Sequence, residues 1–310
     1  MDLPEGYTTR PATLDDVRAC LAIGIAVDVE EYGEPDWDES DVRDDLSRER
    51  FDLTRDSWLA YAPDGALHGF GLAWDKSPHT LVVGDAFAHP EGPDLYPWLV
   101  GRIVARATEH AEVAGSTTVH VYNSEPNARR AAALRAAGFA VCRVFRRMVI
   151  DFDGPPQPPS PGPGVVVRRA TSDDHRLVWE LLRESFAEHF DYVPEPYDAW
   201  HARMVGSDSY RPDCWWLAEA DGVPVGVLVG QRHDENGWVK SLGTLPSARG
   251  RGVGTALLLT AFQAWQAEGV PRVGLGVDSD NSTGAMGLYE RIGMRAEQRY
   301  DCYELVVTRS

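Results

Sequence analysis

The sequence predicts an α/β (α+β) fold made twice: two tandem domains, each with a mixed, mainly antiparallel central sheet flanked by helices. Three observations predict it. Short apolar strand-like runs alternate with longer amphipathic segments in both halves, the order expected of a layered sheet-and-helix sandwich. Residues 154–164 read GPPQPPSPGPG, and proline at this density forbids helix and central strand, so the stretch is a semi-rigid linker. The halves also repeat each other. Arg10 to Asp16 (RPATLDD) matches Arg168 to Asp174 (RRATSDD), and Leu134 to Phe139 (LRAAGF) parallels Tyr289 to Met294 (YERIGM), at nearly constant separation. The predicted boundaries are a first domain over 1–153, a linker over 154–164 and a second domain over 165–310.

Each element has its own reason. In the first half a helix is expected over 14–29, with Thr13 as its cap, and a second in the acidic stretch 30–50. Strand-like runs lie at 58–61, 67–74 and 80–87. In the second half the expectations are a strand at 165–169, a helix at 173–187 behind Thr171, and a short helix at 197–204. A hairpin follows over 215–231, turning at Asp221-Gly222. A strand at 237–244 enters a glycine-rich loop, and a helix from Thr255 ends at Gly269. A buried strand at 273–277, a helix at 282–291 and a last segment, 294–307, close the second sheet.

Composition narrows the function classes. A chain of 310 residues with 43% hydrophobic content and ten Trp is globular and long enough for two cores. A net charge of −18 argues against a general nucleic-acid surface and is compatible with a cationic substrate. No run of about 18 apolar residues and no apolar leader is visible, so the expectation is a cytoplasmic protein with no membrane partner. Cys20, Cys142, Cys214 and Cys302 show no metal-like spacing; they are expected as small buried apolar residues, and no metal is expected.

The chemistry concentrates at residues 242–265, LGTLPSARGRGVGTALLLTAFQAW. Strand, glycine-rich loop and helix in that order make an anion site. Glycines let the backbone approach a phosphate, and the first amides of a helix lack internal partners and carry the positive end of its dipole. Arg249 and Arg251 add full charges. The loop is not a Walker loop, because Gly254 is not followed by Lys and Ser or Thr. It also fits the dinucleotide fingerprint poorly, with its third glycine one position early.

The spacing Arg249-x-x-Gly252-x-Gly254 resembles the acyl-CoA pyrophosphate loop of the GNAT superfamily of N-acetyltransferases. A second block, Asp278 to Asn281 followed by LYERIGM, resembles that family's later segment, with Met294 where Phe is usual. The resemblance covers roughly residues 165–307, and the mycothiol-synthase-like tandem enzymes of actinobacteria look nearest in architecture. It implies acetyl-CoA as co-substrate, bound by Leu242, Gly243, Thr244, Arg249, Gly250, Arg251, Gly252, Val253, Gly254, Thr255 and Asn281. It implies Tyr289 as the acid that protonates the leaving thiolate. A base for the attacking amine is sought in Glu188 and His189, with Asp191, Glu219 and Asp278 as further acids.

Acceptor contacts are sought in the aromatic and acidic stretch 186–197, with Trp200, Trp215, Trp216 and Trp238. The expected acceptor is a small-molecule or peptide amine, and the sequence does not distinguish a monomer from a homodimer. The competing class is a non-catalytic acyl-CoA-binding or sensing module, which would not need Tyr289. After His89 the first half has no arginine–glycine array, and it has Leu134 where the second has Tyr289. It is expected to keep the fold and to have lost the phosphate cradle and the acid.

Overall fold

The repeated heptad is a clasp. In the computed structural model Arg10 donates twice to Asp16, at 2.8 and 2.6 Å, while the Thr13 amide and hydroxyl both donate to Asp16 Oδ2 at 2.8 Å. Arg168, Thr171 and Asp174 repeat the same bonds at 2.8–2.9 Å. The Arg10 guanidinium holds the Asp16 carboxyl down to about 2, and Arg168 holds Asp174 well below the usual carboxylate range. Each clasp therefore starts a helix with one threonine and one aspartate, as the capping expectation required, through a short 3-10 turn. The structure describes residues 2–154, 157–159, 161–206, 210–233, 235–280 and 284–309. They fall into two compact units, residues 1–144 with 299–310, and residues 145–298. No helix among them is long and apolar enough to cross a membrane.

The first unit runs β1 (Thr8–Arg10), α1 (Val17–Tyr32), α2 (Glu39–Leu46), α3 (Leu53–Asp56), β2 (Ser57–Tyr61), β3 (Leu67–Ser77), β4 (Leu81–Ala88), α4 (Tyr96–Ala114), β5 (Ser116–Ser124), α5 (Ala128–Ala136) and the start of β6 (Ala140–Asp151). Side-chain alternation on the strands sorts the core onto two faces. Leu59, Phe70 and Leu72 face a cluster with Val17, Ile23 and Val27 of α1, whereas Trp58, Ala60 and Ala73 face one with Leu99, Ile103 and Ala107 of α4. The 19-residue α4 is absent from the sequence expectations, because the proline-rich run into it, residues 90–98, reads as loop; Pro97 sits in its first turn, where proline costs no hydrogen bond.

β4 and β5 run parallel from Leu81↔Thr118 to Gly84↔Val121 and then part. The wedge beyond is filled by Arg130 of α5. Its guanidinium donates to Asn123 Oδ1 (2.8 Å) and Ala86 O (3.1 Å), and lies 5.6 Å from the Phe87 ring. Glu31 accepts from Ser124 and from Asn127 Nδ2, whose other bond goes to Tyr96.

The second unit takes the end of β6, then β7 (Val165–Arg169), α6 (His175–Ser185), α7 (Tyr197–Val205), β8 (Trp215–Ala220), β9 (Val223–His233), β10 (Asn236–Thr244), α8 (Val253–Ala267), β11 (Arg272–Asp278), α9 (Ala285–Arg291) and the start of β12 (Arg295–Thr308). The β8–β9 hairpin turns on Asp221 and Gly222, both with positive φ, as the Asp-Gly pair predicts. Its core centres on Trp215, Trp216, Phe262 and Trp265, all essentially inaccessible. Gly230 makes room for Trp265, because a Cβ there would lie 2.5 Å from the indole.

The ends of two strands depart from the expected boundaries. The last segment was expected to close the second sheet. Instead Tyr300 to Thr308 of β12 pair antiparallel with β5, completing the first unit as β1-β2-β3-β4-β5-β12. Phe145 to Asp151 of β6 pair antiparallel with β11, completing the second unit as β6-β11-β10-β9-β8-β7. Strand pairing is non-local, and two strands of similar alternation carry no label for which sheet they join. The linker is also more than a spacer at its end. A Cβ on Gly162 would lie 2.3 Å from Arg251 O, and one on Gly164 would lie 2.2 Å from Asp221 Oδ1.

Candidate active site

β10 and β11 run parallel from Gly237↔Val273 to Val239↔Leu275 and then separate. A register shift in β10 between Val239 and Ser241 marks the point, and such a shift bends a strand. β11 stays on β6 as far as Asp278; among the described residues, 241–244 pair with β9 alone. Backbone groups on that side of β10 are thereby released into the wedge, which forms part of a cavity of 520 Å³. Leu242, Gly243 and Thr244 line it. Gly243 is tight for a reason internal to the protein: a Cβ would sit 2.9 Å from Ser185 Oγ, itself buried without a partner.

The glycine-rich loop closes one end. Gly250 and Gly252 both have left-handed φ, 77° and 79°, which L side chains rarely adopt. Gly252 is the N-cap of α8, which starts at Val253, two residues before the expected Thr255. The first amide bonded inside the helix is that of Ala256, to Gly252 O at 2.9 Å, so the amides ahead of it are the helix's anion-binding end. Gly254 is set by packing, since a Cβ would meet Leu288 at 3.2 Å. Arg249, Gly250, Gly252, Val253, Gly254 and Thr255 all line the cavity.

Arg251 does not. Its guanidinium pairs with Asp221 at 2.7 Å, and with the carbonyl contact to Gly162 it braces the loop, the hairpin turn and the end of the linker. Asn281 lies outside the described residues.

Tyr289, on α9, lines the cavity with 7% of its surface exposed, and burial pushes its phenol up to about 12. His189 also lines the cavity, its ring 4.3 Å from that of Phe186. Burial, then the positive Arg249, lower its pKa against the opposing pull of Asp278, so the imidazole is neutral at pH 7 and can accept a proton. Glu188 stands off the wall with its side chain 83% exposed, 3.9 Å from Arg249. Asp278 is a wall residue, whereas Glu219 pairs with Arg168 at 3.2 Å and Asp191 is not among the lining residues.

The expected tryptophans are elsewhere. Trp200, Trp215 and Trp216 are core, and Trp238 lies under Arg147, 5.2 Å away. The aromatic lining is Phe186 and Phe190 of the expected stretch and Tyr289, joined by Phe145, which lies 6.3 Å from Phe190. Phe145 could not be found from sequence position, because it precedes the linker and reaches the site only through the exchanged end of β6.

Comparison with known proteins bears on the family and the fold. Residues 175–294 match the acetyltransferase (GNAT) family. A mycothiol acetyltransferase of Acidothermus cellulolyticus is 31% identical over 233 residues, 69% of this chain and 67% of that one. Among solved structures, a GCN5-related N-acetyltransferase from Sphaerobacter thermophilus superposes with a TM-score of 0.84 at 27% identity, over 99% of this chain and 98% of that one. A tandem GNAT protein from the clavulanic acid biosynthesis pathway shares the fold, with a TM-score of 0.66 at 18% identity over 98% and 99% of the two chains. The chain belongs to the GNAT family of acetyltransferases, and is thus an acyltransferase enzyme with an amine acceptor.

Proposed function

We propose that the protein transfers an acetyl group from acetyl-CoA to a primary amine of a small molecule or peptide, by direct attack in a ternary complex within the second unit's cavity. One observation carries this reading: the anion-binding end of α8, the released edge of β10 and the Tyr289 phenol line a single cavity. The loop amides and Arg249 hold the CoA phosphates. The backbone of 242–244 lies along the acyl chain and offers donors to the carbonyl oxygen as it becomes an oxyanion. The neutral amine attacks the thioester carbon, the C–N bond forms, and the C–S bond then breaks.

Tyr289 donates its proton to the departing sulfur. A phenol near 12 is a weak acid for a thiol near 8.5 in water, but the apolar surroundings that raise the phenol also raise the thiolate. Neutral His189 takes the amine proton, and exposed Glu188 has no part in this path. The mycothiol acetyltransferase among the relatives supports a small-molecule acceptor over a protein.

Calorimetric titration of acetyl-CoA tests the reading. One site per chain is expected, lost in Arg249→Glu and retained in Arg251→Ala, followed by thiol release with a panel of amines. Two sites would place an acyl-CoA site in the first unit as well, and no binding would remove acetyl-CoA as the donor.

A further inference from the structure

We propose that His120, Cys142 and Cys302 of the first unit, with Glu304 beside them, form a zinc-class metal site that fastens the exchanged strand ends. One ligand atom from each of His120, Cys142 and Cys302 lies within 4.8 Å of the others. The three residues come from β5, β6 and β12. His120 and Glu304 are direct cross-strand partners, with Nε2 and Oε2 2.9 Å apart. Cys302 is two residues before Glu304 and shares its face of the sheet. Cys142 lies against the same strand, its thiol donating to Cys302 O at 3.4 Å.

The donor set selects the ion. Two sulfurs and an imidazole suit zinc and exclude magnesium or calcium, which take oxygen ligands. Two thiolates neutralise a divalent charge, so the ion can sit beside residues as buried as Cys302 (0% exposed) and His120 (2%). Glu304, with 38% of its side chain exposed, is the fourth donor or the carboxylate that orients the imidazole, and Cys142 is only partly covered, which leaves a route inward. A second group, Asp75, His79 and His110, is equally compact but has the positive Arg106 acting on His110, which opposes a cation. No sequence spacing reveals the first site, because Cys142 and Cys302 are 160 positions apart.

The test is cobalt titration of the full-length protein, reduced and metal-free. The expected result is one Co²⁺ per chain with sulfur-to-metal charge-transfer absorption, displaced by Zn²⁺. The absorption disappears in Cys142→Ser, and binding weakens roughly tenfold in Glu304→Gln, the usual cost of losing a carboxylate partner. Zn²⁺ raises the unfolding temperature of the unmodified protein and not that of Cys142→Ser. Should that variant fail to fold, Zn²⁺ protection of Cys142 from alkylation in the unmodified protein gives the same answer. The proposal is overturned if the reduced protein shows no charge-transfer band, if the band survives Cys142→Ser, or if the two cysteines form a disulfide and bind no cobalt once reduced.

Discussion

The two wedges set one fold against itself. In each unit a parallel strand pair holds for a few residues and then parts, and a short helix lies against the opening. In the second unit the helix brings Ala285 to the wedge and a cavity remains; in the first it brings Arg130, and the wedge is full. The two residues correspond, each four positions before the Leu134 and Tyr289 of the matched hexapeptides. Arg130 satisfies the strand carbonyl of Ala86 from inside the protein, the service that a bound ligand would otherwise give. Keeping this fold therefore does not require a bound ligand, because the splayed strands need a hydrogen-bonding partner and not a particular one.

The largest expected effect tests the acid role proposed for Tyr289. Tyr289→Phe should lower kcat by ~10²–10⁴, the usual contribution of a positioned proton donor, while leaving acetyl-CoA affinity unchanged by calorimetry. Because the phenol sits near 12, it adds no basic limb to the pH–rate profile of the unmodified enzyme below about pH 9. A limb with His189 as base would lie below its ordinary value of 6.5, with activity rising as the imidazole loses its proton.

Next comes the exchange of plugs. Ala285→Arg should weaken acetyl-CoA binding by ~100-fold or more, about 2.7 kcal/mol, as the guanidinium takes the ligand's space. Unchanged affinity would break the comparison. The reverse change, Arg130→Ala, should cost ~1.5–3 kcal/mol in denaturant unfolding, since the polar groups around it lose a charged partner while remaining buried. It should create no second acetyl-CoA site, because the first unit still lacks the loop.

The smallest effect concerns what the units share. Asp16→Asn and Asp174→Asn should each cost about 1 kcal/mol or less at pH 7, given partial exposure to solvent. Both carboxyls are depressed in the folded state, so their stabilisation is present above the unfolded value of about 3.9 and is lost as pH falls through the folded one. Differences from the unmodified protein should shrink as unfolding is measured from about pH 4 towards about pH 2.

What could be read from the sequence follows the range of the interactions. The clasps, the Asp221-Gly222 turn and the glycine loop are local, and their residue types imply their geometry. Within the loop, charge alone could not separate Arg249 from Arg251: one lines the cavity, whereas the other is held by an aspartate 30 positions away. The tryptophans were ambiguous for the same reason, since composition cannot distinguish a core indole from a pocket wall. Phe145 and the pairing of β12 with β5 depend on contacts across most of the chain, and nothing in the local pattern encodes them.

The crossed strand ends impose an order on biogenesis. Most of the first unit emerges from the ribosome before the second but lacks its partner strand for β5 until residues 299–310 have been made. At about 5–20 residues per second, synthesis of the intervening residues 145–298 takes roughly eight to thirty seconds. During that interval β5 is a bare edge, with Val119 and Val121 and an unsatisfied row of amides and carbonyls, which is the kind of surface that chaperones hold and that neighbouring chains can capture. A ribosome stalled before residue 299 would leave β5 without the strand that pairs with it, although the rest of the first unit had been made.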